Sequence, residues 1–411
     1  MTVPRAVGKP KSVRTTRAEA ETGSPGDLYV ASLARVALDG QILGQDRAME
    51  TLAKALVSGH FPHAWIFHGP RGTGKCTAAL RLAAVIVDPL SGDAQRSKCV
   101  PNLHSPSATF LRAGTHPDVR IIRAELAGSS ADRELRERKQ NNIPVALLRE
   151  HIIGGVSSAG ARIDAAVYRS SVMGAGKVFI IDEAERLETD GQNVLLKTLE
   201  EPPPGTVIIL VTNSLDRLLP TVRSRCQTLG FFPLDEARMS GWLDTNLGEV
   251  NGAAREFIQM YAAGSPGAAV TAVELGLQSL HADLLPMIDQ LERGEFPLAM
   301  SDRMNDFAAE VAEAAVKRNE NASKEAANRR ATGVMFSVIG SEVLRRMRAS
   351  TNSSGRLEYW ANVPDLIADA ERNLQANVNQ KLVLADFVAQ WSSLFGSSAG
   401  KSLGKPAGKS S

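Results

Sequence analysis

Cysteine, net charge and long apolar runs are all scarce in this chain of 411 residues. Its three cysteines, Cys76, Cys99 and Cys226, are too few and too scattered for a disulfide framework, so we expect a reducing, cytoplasmic setting. The formal net charge is only +2, so overall charge does not indicate nucleic-acid binding. No apolar run approaches the roughly 18 residues that span a bilayer, and the N-terminus lacks a secretory core, so no membrane partner is expected.

Hydrophobic patterning divides the chain into an alternating part and a helical part. Five short apolar segments are predicted strands, at 63–69, 118–124, 177–184, 206–213 and 226–232. Helical spacing separates them at 77–87, 161–173 and 190–201. Continuous apolar strands between helices predict a five-stranded parallel sheet that is covered on both faces. After Pro233 apolar residues recur three to four apart, which predicts helices only.

The predicted organisation has three structured parts and two tails. The structured parts are an α/β domain at 27–233, a small helical unit at 234–275 and an all-α domain at 276–395. The charged, interrupted stretch 125–145 is interpreted as a surface insertion whose charges lie on a solvated face. The polar segments 1–26 and 396–411 are expected to be disordered.

The segment His68–Cys76, HGPRGTGKC, nearly matches a phosphate-binding loop. In that motif two glycines with four residues between them precede Lys and then Ser or Thr. Gly69, Gly74 and Lys75 fit, but Cys76 replaces the hydroxyl that holds Mg²⁺. Backbone N–H groups of such a loop face phosphate oxygens, and its lysine reaches the β- and γ-phosphates. The predicted ATP-binding residues are Gly69, Pro70, Arg71, Gly72, Thr73, Gly74, Lys75, Cys76 and Thr77. A Gly-rich turn without nucleotide is the alternative.

Cys76 weakens the prediction for the metal more than the prediction for phosphate. Sulfur is a poor partner for Mg²⁺, so phosphate can be gripped while the metal geometry suffers. A thiol beside a lysine at a helix N-terminus is also expected to be partly activated.

Polar residues close two of the later predicted strands. Asp182 follows VFII at the C-terminal end of a strand, where ligand sites of open α/β sheets lie, and is a candidate Mg²⁺ ligand. Glu183 is a candidate for activating the attacking water, and Asn213 is a candidate γ-phosphate sensor. The alternatives are an acidic strand exit at a helix start and an ordinary turn asparagine.

Arg225 lies in an SRC triplet at 224–226, just before the last predicted strand. Its planar guanidinium can stabilise charge on a transferring phosphoryl group, in trans if subunits stack. Without further context, a surface arginine or an ion pair is the simpler interpretation.

Taken together and in this order, the motifs resemble those of AAA+ ATPases. The segments HAWIFHGPRGTGK, LLKTLEEPP and SRC make residues 40–235 similar to the bacterial clamp-loader subunits of DNA polymerase III. The resemblance implies a P-loop domain with five strands, a helical lid and a helical collar that closes a hetero-pentamer with gamma/tau and delta subunits. Such a ring opens a sliding clamp and loads it on primed DNA during replication.

Three departures favour one branch of this family. Besides Cys76, the lid segment 262–270 has no arginine after GS, where motor subunits commonly carry one. Of the cysteines that often bind zinc, only Cys99 remains, and with His104 and His116 it makes no credible four-ligand zinc site. The resemblance is therefore to the delta-prime subunit family, in which the chain's own ATP site is weak or inactive and Arg225 would serve a neighbour.

Other functions stay open at this point. The intact DEAE at 182–185 leaves residual ATP binding or slow hydrolysis open, and a gamma/tau-type motor is the alternative within the family. The chain is not expected to be the DNA-directed DNA polymerase itself. We expect it to be at most a weak ATPase within the DNA polymerase III holoenzyme. An autonomous P-loop NTPase or nucleotide kinase is the alternative from a different class, although nothing in the sequence indicates an acceptor pocket.

Overall fold

The computed structural model describes residues 25–137, 142–247, 250, 252–318, 324–350, 354–376 and 378–402. The predicted tail at 1–26 therefore lies almost wholly outside the described residues, as do 138–141 of the stretch 125–145 and the end of the chain from 403. Within the described ranges, no helix is long and apolar enough to cross a membrane.

The five apolar segments form the predicted parallel sheet. The strands are β1 (Ala64–His68), β2 (Val119–Ile122), β5 (Lys177–Ile181), β6 (Thr206–Thr212) and β7 (Gln227–Gly230), and a separate hairpin pairs β3 (Gly155–Val156) with β4 (Arg162–Ile163). The order across the sheet is β2-β5-β6-β1-β7, with all neighbours parallel. The connections reverse direction beside β1, so the C-terminal ends of β1, β5 and β6 meet at a topological switch point, where such sheets bind ligands.

Nine described helices accompany the sheet. They are α1 (Pro25–Asp39), α2 (Asp46–Val57), α3 (Lys75–Ile86), α4 (Asp93–Arg96), α5 (Pro106–Ala113), α6 (Arg133–Glu137), α7 (Val145–Leu148), α8 (Thr189–Glu200) and α9 (Pro220–Arg223). Strand residues alternate between two buried cores: Trp65 and Phe67 enter one, and Ala64 and Ile66 enter the other. Because a buried core covers each face of the sheet, the strand sequences are continuous apolar runs.

The structure changes two local interpretations of the sequence. The helix predicted at 161–173 is wrong, since that stretch holds β4 and a short 3-10 turn at Ala166–Tyr168. The end of this stretch is held instead by hydrogen bonds to a residue distant in sequence. The backbone N–H groups of Val172 and Met173 each donate to the Asp118 carboxylate at 2.8 Å. The described part of the stretch 125–145 is also more than surface, since Leu135 and Ile143 are buried.

The rest of the described chain is helical. Its helices are α10 (Glu236–Asn246), α11 (Ala253–Ala262), α12 (Pro266–Glu274), α13 (Leu277–Glu292), α14 (Met300–Arg318), α15 (Lys324–Ala349), α16 (Ser354–Ala361), α17 (Val363–Gln375) and α18 (Gln380–Ser402). One apolar core runs through all of them, from Leu234 to Trp360 and Trp391. The helical units predicted at 234–275 and 276–395 therefore share a core, and α18 continues beyond residue 395 into the segment predicted as a tail.

Candidate functional site

The loop between β1 and α3 has the backbone of a phosphate-binding turn. Gly69, Gly72 and Gly74 have φ values of 140°, 76° and 92°, which L side chains rarely adopt. A Cβ on Gly69 would lie 2.0 Å from the carbonyl oxygen of Phe231, so the backbones approach too closely for any other residue. The predicted strand–loop–helix context is confirmed, because the loop leaves β1 and α3 begins at Lys75.

Lys75 is held by groups of its own chain. Its Nζ donates to the carbonyl oxygens of Gly69 and Pro70, at 2.7 and 2.6 Å, and to Oδ1 of Asn213 at 2.8 Å. Burial lowers the pKa of Lys75 to about 8, against the opposing effect of nearby carboxylates such as Asp182 and Glu185. The structure thus brings together Lys75 and Asn213, two residues that the sequence analysis selected separately.

Asn213 connects Lys75 with a carboxylate that the sequence analysis did not single out. Its Nδ2 donates to Oε1 of Glu185 at 2.8 Å, and the neighbouring Thr212 hydroxyl donates to Oε2 at 2.8 Å. Glu185 was visible in the sequence as the last letter of DEAE, but only the fold shows which carboxylate reaches the end of β6. The sensor candidate is therefore oriented by Glu185.

Asp182 and Cys76 lie next to each other and are joined by a residue from α1. The hydroxyl of Tyr29 donates to Oδ2 of Asp182 at 2.9 Å and lies 3.9 Å from Sγ of Cys76. Burial raises the pKa of Asp182 even though Arg123 is nearby, and it raises the pKa of the Cys76 thiol well above its usual value. Burial and Asp182 thus shift the pKa of this thiol in the direction opposite to the activation that its place beside Lys75 led us to expect.

Glu183 is engaged by two arginines. Its backbone is left-handed, with φ at 54°, and its carboxylate pairs with Arg186 and lies 3.5 Å from Arg71. Burial alone would raise the pKa of Glu183, but Arg186 and then Arg71 hold it below the usual range. The candidate water-activating group is thus an ion-paired carboxylate in this conformation.

The helix α12 contacts the phosphate-binding loop directly. The Ser265 hydroxyl donates to the carbonyl oxygen of Arg71 at 2.7 Å, and the N–H of Gly267 donates to the carbonyl oxygen of Gly72 at 3.0 Å. A Cβ on Gly267 would lie 2.7 Å from Cα of Gly72, so only glycine permits this approach. The GSPG segment therefore covers the loop with backbone, and no residue of α12 is an arginine.

Arg225 lies apart from the loop, between α9 and β7. Its guanidinium pairs with Glu200 at the end of α8 and donates to the carbonyl oxygen of Thr221 at 2.8 Å. Its side chain is 34% exposed, so a second molecule can reach it. The other predicted site residues converge on the switch point, whereas Arg225 does not contact them.

Two of the residues considered for zinc, Cys99 and His116, have structural surroundings. Cys99 is buried, which raises the pKa of its thiol to about 12. His116 bonds through Nε2 to the hydroxyl of Ser107 at 2.7 Å and accepts the backbone N–H of Asp118 at Nδ1. In the part of the chain that the structure describes, no three His, Cys, Asp or Glu side chains are grouped to hold a metal ion.

The fold and this site define a class of protein. Counted in chain order, the five strands of the parallel sheet lie in the order 2-3-4-1-5. A P-loop follows the first of them, and an acidic residue follows the third, β5. These features define an AAA+ type nucleotide-binding domain, and helices follow it in the chain.

Comparisons with known proteins specify the class further. Residues 44–235 match the family described as DNA polymerase III, delta subunit. The chain is 31% identical to DNA polymerase III subunit delta' of Bacillus subtilis over 46% of this chain and 48% of that protein. It is 29% identical to the tau subunit of the same organism, over 61% of this chain and 39% of tau. It is 26% identical to subunit delta' of Pseudomonas aeruginosa, over 81% and 93%.

The chain thus spans about half the length of the first of these relatives, and less of tau. The matches confirm the resemblance to clamp-loader subunits of DNA polymerase III that the motifs indicated.

Proposed function

We propose that this chain is a delta-prime-type subunit of a DNA polymerase III clamp loader, which helps to load a sliding clamp on primed DNA during replication. One contrast carries the proposal. The chain's own loop is occupied by internal contacts at Lys75 and Cys76, whereas Arg225 is exposed and contacts no loop residue. Such a chain is built to act on a neighbour's nucleotide rather than on its own.

Arg225 is the proposed catalytic residue. In a ring of stacked subunits its guanidinium would face the ATP of the adjacent motor subunit and stabilise charge on the transferring phosphoryl group. Glu200 holds the guanidinium in the free chain. This exposed pair contributes little stability, so exchanging the carboxylate for a phosphate oxygen costs little.

The chain's own nucleotide site is proposed to be weak. Backbone N–H groups of the loop and Lys75 can hold phosphate, but Lys75 must first leave the carbonyl oxygens of Gly69 and Pro70. Mg²⁺ does not fit the side chains present, because Cys76 offers sulfur and Asp182 already accepts from Tyr29. We therefore derive no hydrolytic step here and assign the chain at most slow ATP turnover, with Asp182, Glu183 and Asn213 in structural roles.

The partners are proposed from the same resemblance. They are gamma/tau and delta subunits in a hetero-pentamer, the sliding clamp, and primed DNA through the complex, all in the cytoplasm. The helices α13–α18 are the proposed collar, and α10–α12 are the proposed lid.

A gamma/tau-type motor is the second candidate. It is favoured by the similarity to tau of B. subtilis and by Glu183 and Glu185, which keep the acidic motif intact. ATP turnover by the isolated chain at the rate of a motor subunit would support this candidate.

The decisive test is Arg225→Ala in a reconstituted loader that contains motor subunits. Arginine fingers accelerate phosphoryl transfer about 10³- to 10⁵-fold, so clamp loading on primed DNA is expected to fall by at least about tenfold. Arg293→Ala removes an exposed, ion-paired arginine elsewhere and is expected to leave loading unchanged. Equal loading by both variants would contradict the role of Arg225.

A further inference from the structure

The position that a metal ion takes beside a P-loop is filled here by a side chain. Tyr29 projects from α1, which packs on α3 and α5, and its hydroxyl lies between Cys76 and Asp182. Asp182 is only 9% exposed, and its other oxygen, Oδ1, accepts the backbone N–H of Glu183 at 3.0 Å. Both carboxylate oxygens therefore already have donors from the chain.

Arg123 supplies positive charge at the same place. Its guanidinium carbon lies 4.0 Å from the centre of the Tyr29 ring, and its Nε donates to Glu125 at 3.0 Å. The Arg123 side chain is 13% exposed, and although burial opposes its charge, Tyr29, Glu125 and Asp182 together raise its pKa. Asp182 is thus compensated by a fixed guanidinium, which stacks on the ring that donates to it.

The donors do not suit Mg²⁺. That ion requires nearly octahedral oxygen ligands at about 2.0–2.1 Å and keeps several waters, which needs space around the carboxylate. Here the thiol of Cys76 and the hydroxyl of Tyr29 occupy the space beside Oδ2 of Asp182. A phenol and a guanidinium give Asp182 a hydrogen bond and a compensating charge without any metal.

We propose that Tyr29, held by Arg123, closes the metal position of this loop, so that a nucleoside di- or triphosphate binds to it without Mg²⁺. The inference rests on the proposed function insofar as that function needs no hydrolysis at this loop. It assigns the lack of metal to two residues, Cys76 and Tyr29, of which only Cys76 lies in the motif. Restoring the hydroxyl at position 76 alone is therefore insufficient to restore metal binding.

The test uses the full chain and a fluorescent ATP analogue, titrated with Mg²⁺ and separately with EDTA. For wild type, and likewise for Cys76→Ser, the Kd measured with Mg²⁺ is expected to equal the Kd measured with EDTA. The double variant Tyr29→Ala with Cys76→Ser is expected to bind the ATP analogue at least about tenfold more tightly with Mg²⁺ than with EDTA. Both side chains that obstruct the metal position are absent from this variant. Tyr168→Ala with Cys76→Ser is the matched control, since Tyr168 is 58% exposed.

Two results would overturn the proposal. One is Mg²⁺ dependence in Cys76→Ser alone that equals that of the double variant. The other is an absence of Mg²⁺ dependence in a folded double variant. If the alanine variant does not fold, Tyr29→Phe with Cys76→Ser keeps the ring under Arg123 and removes only the hydroxyl; this variant must then show the Mg²⁺ dependence, or the proposal fails.

A measurement without nucleotide separates this proposal from the proposed function. Maleimide labelling of Cys76, followed by peptide mass spectrometry, is expected to be at least about tenfold faster in Tyr29→Ala than in Tyr168→Ala. The substitution removes the Tyr29 ring that covers the thiol and the hydroxyl that lies beside it. Equal rates would show that Tyr29 does not close the position. The result is independent of partner subunits, so it stands whether or not Arg225→Ala impairs a reconstituted loader.

Discussion

At the scale of single residues, Lys75 shows how a proposed phosphate-binding side chain is held by its own chain. Its three N–H groups are matched by three acceptors of the chain, on Gly69, Pro70 and Asn213. The same surroundings remove it from water and lower its pKa to about 8. A nucleotide must compete with those acceptors, and it must find the lysine still protonated.

Nucleotide affinity is therefore expected to fall as the pH rises through 8. Below that value Lys75 is charged in the folded chain, and above it the proton is lost before phosphate binds. Between pH 7.5 and 9.5 the Kd of a fluorescent nucleotide should rise about tenfold in wild type. Lys75→Met should bind weakly with no such trend; a flat profile in wild type would contradict the lowered pKa.

The same residue sets an opposite trend for stability. The folded-state pKa of Lys75 lies below the usual lysine value, so the unfolded chain binds more protons between pH 8 and about 10.4. Lys75 thus contributes a free energy of unfolding that grows with pH across this window. Phosphate binding and folding favour different protonation states of one amine.

Residues of the site differ in how far the sequence could predict them. Lys75 begins a helix, and Asp182 and Asn213 directly follow strands with a recognisable apolar pattern, so their meeting follows from parallel strands that share one edge. Tyr29 belongs to a helix 153 residues from Asp182, and no local spacing links the two. Its role depends on how α1 packs on α3, which is a tertiary property.

At the scale of elements, the contact between α12 and the phosphate-binding loop depends on two glycines. The N–H of Gly267 bonds to the carbonyl oxygen of Gly72, and Gly72 in turn would bring a Cβ within 2.4 Å of Oγ of Ser265. Helix and loop therefore meet backbone to backbone. Side chains at these positions would force them apart.

Gly267→Ala is expected to weaken this contact although alanine favours helices. The added Cβ meets backbone 2.7 Å away, and a clash of this kind typically costs about 1–3 kcal/mol. Hydrogen exchange at the amide of residue 267 should become faster, and the urea midpoint should fall. Gly241→Ala in α10, where no atom lies within 4 Å of the new Cβ, should stabilise by up to about 1 kcal/mol. Similar effects at both positions would contradict a tight contact.

Elements also show why one prediction failed. The five strands are apolar runs buried on both faces, and their apolar composition alone predicts this burial. The stretch 161–173 has helical spacing, but its N–H groups at Val172 and Met173 find a better acceptor in the buried Asp118. Competition from a distant carboxylate is invisible to local periodicity.

At the scale of the whole molecule, the helices α10–α12, which are the proposed lid, share the apolar core of the helices that follow them. Met239, Leu243 and Ile258 join the same apolar cluster as Trp391, and the ring of Phe257 stacks on His281 of α13 with centres 4.6 Å apart. These helices contact the phosphate-binding loop through hydrogen bonds from the Ser265 hydroxyl and the Gly267 N–H, and they contact α13–α18 through a shared core. Movements of α13–α18 are thus coupled to α10–α12 by packing.

A fragment of residues 234–411 is accordingly expected to fold alone, whereas a fragment of 276–411 is not. Cutting at 276 removes α10–α12 from the shared core and exposes the part of α13 that α11 covers, where Phe257 stacks on His281. The longer fragment should unfold in one cooperative urea transition, followed by circular dichroism, and the shorter one in a broad transition. Cooperative unfolding of both would contradict the shared core.

The tryptophans make the sheet domain and the helical core optically distinct. Trp65 is buried beside Phe61 and Phe67 in the sheet domain, whereas Trp360 and Trp391 lie against each other in the helical core. Trp242 packs at the edge of the helical core. A chain that keeps only Trp65 would emit light from the domain that carries the phosphate-binding loop. Its spectrum could then follow that domain inside the proposed ring, where the helices would pack against other subunits.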